Sequence, residues 1–126
     1  MIALAPISGK NEINRLFLEN GLEFTEFSGC VKAKCGEEVL AFCLYSLDKS
    51  GIVIYKIVPE NDLKLADGIL RSTLHVAAER SIMNAFYSGE DIEKLCDRLG
   101  FIKNREEERL DINKLFESCC SCRKNG

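Results

Sequence analysis

The rhythm of apolar and polar positions changes several times along this chain, and each change marks an element. Residues 2–6, Ile-Ala-Leu-Ala-Pro, form a short apolar run that suits a first strand. Ser8 is placed to cap a helix in which Ile13, Leu16, Phe17 and Leu22 keep roughly helical spacing, and Asn20-Gly21 is a stop signal. Residues 23–28 are weakly patterned. Between Cys30 and Cys35, Val31 and Ala33 alternate with Lys32 and Lys34, as expected of a half-exposed strand. After the Gly36-Glu37 turn, residues 39–47 are apolar almost throughout, which fits a strand covered on both faces. A turn at 48–51 leads into a β-branched strand at 52–58. These three strands make a meander.

Pro59 disfavours continuation of that sheet. Beyond a polar gap, a helix is expected over about 65–80, with Leu65, Ile69, Leu70, Thr73, Val76 and Ala77 on its apolar face. Residues 83–87 give a short strand, and residues 90–99 a helix with Ile92, Leu95, Cys96 and Leu99 on one face and Gly100 at its end. The charged stretch 102–112 is read as containing an outer or edge strand. The order predicts a mixed α/β sheet with helices on both faces. Its strands at 52–58 and 83–87 are expected to be parallel neighbours joined by a right-handed crossover. A strand that feeds a helix N-terminus is also a natural anion site, because free N–H groups and the helix dipole meet there.

With 126 residues the chain fits one domain, placed at 1–118, followed by a Cys-rich tail at 119–126. The net charge of −3 argues against nucleic acid or an anionic membrane as the main partner. No apolar run reaches the ~20 residues of a membrane helix. The first residues lack a basic region and are too short an apolar stretch for a signal peptide, so the expected location is cytoplasmic. Seven cysteines cannot all pair internally, and in that compartment free thiols are expected.

The ordered elements resemble the GNAT superfamily, the Gcn5-related N-acetyltransferases. The opening strand and helix, the meander, the Val58-Pro59-Glu60 corner and the Leu95-Cys96-Asp97-Arg98-Leu99-Gly100-Phe101 ending carry the likeness. The chain looks like a short, divergent version, with one helix between the first two strands. The resemblance implies a GNAT-like fold and transfer of an acetyl group from acetyl-CoA, as cosubstrate, to a small-molecule or peptide amine. It implies a cofactor site built from Ile57, Val58, Lys64, Leu65, Ala66, Asp67, Gly68 and Ile69. In that site main chain at Ile57 and Val58 meets the thioester, and amides from Leu65 to Ile69 meet the pyrophosphate. Glu60 is the candidate base and Cys96, where the family often has a tyrosine acid, the candidate acid. The family's cofactor loop, Arg/Gln-x-x-Gly-x-Gly/Ala, falls on Asp62, Leu65 and Asp67 here. Gly68 lies one position later, and Lys64 and Arg71 supply the nearby positive charge.

Those replacements support a second function, a GNAT-fold acyl-CoA-binding or protein-interaction module without catalysis. A third follows from Cys119, Cys120 and Cys122, three thiols close enough in sequence to handle a soft metal, although the fourth ligand of a zinc site is missing. No metal is expected at the acetyltransfer site. Glu23, Glu26 and the lone His75 are weaker catalytic candidates, and Tyr45 or Tyr55 is placed to line a substrate cleft. An edge strand near the C-terminus would allow a homodimer.

Overall fold

The structure, a computed structural model, describes residues 2–116. The tail cysteines Cys119, Cys120 and Cys122 lie outside the described residues. The elements run β1 (Ile2–Pro6), α1 (Lys10–Glu19), β2 (Ser28–Cys35), β3 (Glu38–Asp48), β4 (Gly51–Val58), α2 (Leu63–Glu79), β5 (Ala85–Tyr87), α3 (Glu90–Leu99), β6 (Ile102–Asn104) and β7 (Arg109–Leu110). The strands form one mixed sheet in the order β1-β2-β3-β4-β5-β7-β6. β1 to β4 are antiparallel neighbours, and β4 runs parallel to β5. The charged C-terminal stretch yields two short strands instead of one: β7 pairs with β5, and β6 takes the sheet edge.

Alternate residues of the central strands divide the core. Cys30, Leu44 and Tyr55 pack with Ile13 and Phe17 of α1. Their sequence neighbours Val31, Cys43 and Ile54 join the larger cluster with Ile69, Leu70 and Leu74 of α2 and Ile92, Leu95 and Cys96 of α3. One residue breaks the alternation in β4. Tyr45 pairs with Ile54 and Leu44 pairs with Lys56, so Tyr55 is an extra residue in a β-bulge. Without it Lys56 would take the core position that Ile57 fills at 1% exposure.

Several boundaries differ from the sequence pattern. Gly9, not Ser8, is the N-cap of α1, and it makes no side-chain cap. α2 starts earlier than its apolar face, because Asp62 caps it. Lys32, expected on a half-exposed strand, is 8% exposed and ion-paired with Glu12 of α1. Period alone could not show this, since α1 covers that face and the lysine is buried only because a carboxylate lies beside it. The pair also holds the Glu12 carboxyl below its ordinary pKa, chiefly through the hydrogen bond from Lys32. None of the described helices is long and apolar enough to cross a membrane.

Two glycines should respond in opposite directions to alanine. A Cβ on Gly29 would lie 2.5 Å from the ring of Tyr45, which is buried at 7% exposure. Gly29→Ala should therefore destabilise by about 1–3 kcal/mol through overpacking. A Cβ on Gly68, inside α2, meets nothing within 4 Å. Gly68→Ala should stabilise by about 0.5–1 kcal/mol through helix propensity. Urea unfolding of both variants checks the pair of signs.

Candidate functional site

The site begins where two parallel strands part. β4 and β5 are paired only from Ile52 with Ala85 to Ile54 with Tyr87. The last contact is Ser88 N–H donating to the Ile54 carbonyl at 3.0 Å. The chain then turns at Gly89, whose φ of 119° favours glycine, and enters α3. β4 instead continues through Tyr55 to Val58, hydrogen-bonded to β3 along one edge. A cavity of about 200 Å³ opens beside that continuation. Tyr55, Lys56 and Ile57 form its β4 wall, Ser88 to Ile92 and Leu95 its α3 wall, and Asn20 and Leu22 close it after α1.

The Tyr55 hydroxyl lies 3.1 Å from the Ser46 hydroxyl, and its ring stacks edge-on against Phe17, so the residue is fixed on two sides. Of the two tyrosines considered from sequence, Tyr55 lines the cavity, whereas Tyr45 is a core residue. The walls carry the carboxylates of Glu60, Glu90 and Asp91 against the single ammonium of Lys56. α3 begins with no side-chain cap on Gly89, and its first turn holds Glu90, Asp91 and Glu93. Such an arrangement favours a cationic or neutral ligand over an anion.

The sequence-derived residues separate into three places. Ile57 and Glu60 line the cavity, with Glu60 exposed at the corner after β4. Val58 ends β4, and its bond to Pro59 is cis. Lys64 and Leu65 line an open hollow with Asp62, beyond that corner. Ala66 and Ile69 are fully buried on the core face of α2, while Asp67 and Gly68 are half-buried. The amides of this turn are largely taken. Asp62 Oδ1 accepts from Leu65 N–H at 3.1 Å, and the Asp62 carbonyl accepts from Ala66 N–H at 2.9 Å. Asp67, Gly68 and Ile69 lie within the helix, where the amides serve the intrahelical ladder. The first-turn amides outside these bonds belong to Leu63 and Lys64.

Cys96 does not line the cavity. Its thiol is fully buried with α2 and α3 side chains, and burial pushes its pKa from 9.0 up to about 12. His75 is exposed on α2 and pairs with Glu79 at 3.1 Å, while Glu23 and Glu26 are exposed away from the walls. What sequence reasoning missed is the α3 wall. The available signal was Ser88-Gly89 after a strand, directly before three acidic residues within four positions. Among the described residues no group of three His, Cys, Asp or Glu side chains is arranged to hold a metal.

The buried thiols give a pH prediction. Cys30 and Cys96 both lie near 12 in the folded chain against 9.0 unperturbed, with burial the leading cause in each. Between those values the unfolded chain binds fewer protons, so stability should fall as pH rises above about 9. Melting temperatures from pH 8 to 11 check this, and a flat profile contradicts it. In the same native protein, among the described cysteines iodoacetamide should label exposed Cys35 and spare Cys30, Cys43 and Cys96, as read by peptide mapping.

No family model matches the chain, and no curated protein matches it in sequence. Among solved structures, it is similar to a protein from Desulfovibrio desulfuricans assigned to the GNAT family as an acetyltransferase. The TM-score is 0.57, with 12% identity over 82% of this chain and 87% of the other. At that identity the likeness concerns the fold: a mixed α/β sheet of GNAT type, which is the architecture described above.

Proposed function

We propose that this chain transfers an acetyl group from a thioester, with acetyl-CoA as the donor, to an amine bound in the cavity between β4 and α3. The observation that carries the proposal is the parting of β4 and β5 after Ile54. It leaves an open strand edge beside a cavity, in a fold shared with an assigned acetyltransferase. A strand edge of this kind offers N–H and C=O groups to an extended, amide-bearing ligand. Main chain near Ile57 and Val58 would then donate an N–H to the thioester oxygen as charge develops on it.

In this scheme the neutral amine nitrogen attacks the thioester carbonyl. A C–N bond forms, the C–S bond breaks, and the thiolate leaves. The amine gives up one proton as it is acylated, and the leaving sulfur gains one. Glu60, a carboxylate that lines the cavity, would accept the amine proton, directly or through water. Cys96 takes no part, because its thiol is buried and forms no part of the wall. Glu90 and Asp91 would attract a cationic acceptor to the α3 wall.

The Asp62 cap favours one alternative, a chain that binds the donor without turning it over. Two measurements on one preparation separate these functions. A bound donor at a hundredfold excess over Kd should stabilise by about 2.7 kcal/mol. For a domain of this size that raises Tm by roughly 4 °C or more. Incubation of acetyl-CoA with a panel of diamines, amino acids and peptides should then give an acetylated product by mass spectrometry. Glu60→Gln should lower kcat/KM by roughly 10²-fold and remove the acid limb of its pH profile. Stabilisation without product supports the binding module. Neither stabilisation nor product eliminates both.

A further inference from the structure

The corner between β4 and α2 is where a phosphate group would be expected to settle, since a helix N-terminus gathers free amides and a positive dipole end. In this chain that end already holds an anion of its own. The Asp62 carboxylate occupies the cap and accepts from Leu65 N–H at 3.1 Å. Leu40, Leu63, Leu65 and Pro59 give the hollow around it apolar walls. One turn on, Asp67 accepts from Arg71 Nε at 2.8 Å, and the Arg71 guanidinium lies 5.0 Å over the ring of Phe101. Arg71 is therefore engaged by a carboxylate and a ring. Lys64 is the cation that lines the hollow.

The neighbouring cavity has the opposite character. Pro59 lines the hollow and Glu60 lines the cavity, so the two adjoin along one corner. Leu22, Tyr55, Ile57, Ile92 and Leu95 give the cavity apolar surface beside the open edge of β4. A pantetheine arm is a neutral, extended chain with two amides, and its hydrogen-bonding groups match a strand edge. A diphosphate bound at the corner would face Asp62 at the cap and Glu60 beside Pro59, while Glu90 and Asp91 add negative charge to the adjoining cavity.

We propose that this chain recognises its donor through the pantetheine arm and draws no net affinity from the diphosphate, which makes acyl-pantetheine thioesters as a class its donors. This rests on the acetyltransferase function proposed above. Coenzyme A, phosphopantetheine and free pantetheine share the arm, and their thioesters are the arms of the test.

The test titrates the full chain with acetyl-pantetheine, acetyl-4′-phosphopantetheine and acetyl-CoA, and follows Tm and binding heat. The three Kd values should agree within about threefold, against the roughly tenfold or more that charge-assisted phosphate contacts would add. Asp62→Asn keeps a capping oxygen and removes the charge. It should tighten acetyl-CoA by about two- to fivefold and leave acetyl-pantetheine unchanged. Acetyl-CoA binding at least about tenfold tighter than acetyl-pantetheine, with no gain in Asp62→Asn, overturns the inference and leaves the acetyltransferase function standing. If none of the three thioesters binds, the acetyltransferase function falls, and the inference with it.

Discussion

The site depends on one failure of strand pairing. β4 runs on for four residues after Ile54, and β5 has ended by then. The cause is local to β5. Just past the three-residue strand, Ser88 donates its amide to the Ile54 carbonyl, and Gly89 then takes a backbone conformation that other residues adopt at a cost. α3 starts at once and swings its first turn over the gap. The Tyr55 bulge acts from the other side. It keeps Ile57 in the core while Tyr55 and Lys56 both reach the cavity wall. Lost pairing, bulge and helix start together produce a cavity lined by strand and by helix.

Charge follows from the same layout. Two helices, α2 and α3, start near the open edge of β4, and each could in principle draw an anion. Both ends carry acids instead. Asp62 caps α2, and α3 opens with Glu90, Asp91 and Glu93. Glu93 also accepts from the Tyr87 hydroxyl at 2.9 Å, which ties the end of β5 to the first turn of α3. Arg105 approaches that carboxylate at 3.8 Å and bonds Asp97 at 2.6 Å, so α3 is held to the β6–β7 turn as well. The first turn of α3 is thus anchored from both directions, and the cavity wall it forms is held in place by its own acids.

Much of this frame was legible in the sequence. Apolar period and glycine stops gave α1 and α3 closely, with Gly21 and Gly100 both at positive φ. The β-branched runs gave the meander, and the short apolar run before α3 gave a parallel neighbour to β4. The bulge was not legible. Residues 52–58 are apolar at both parities apart from Lys56, and that one lysine does not mark which residue is the extra one. The burial of Lys32 was hidden for a related reason, since its partner Glu12 is twenty positions away. Cys96 looked chemical because of its place in a motif, but the fold turns that position into the core. Asp62 fell on the expected cofactor loop, and only the structure shows that its oxygen takes the Leu65 amide.

The central claim is that the open edge of β4 is a binding surface for an extended thioester arm. A ¹⁵N-resolved NMR titration with acetyl-pantetheine tests it most directly, because each amide near the cavity reports separately. The account predicts saturable shifts at Tyr55, Lys56 and Ile57 of β4 and at Ser88 to Ile92 opposite, with little change at the Asp62 cap. Shifts confined to the far hollow lined by Phe27, Leu47 and Ile82, or no saturable shift anywhere, would contradict it.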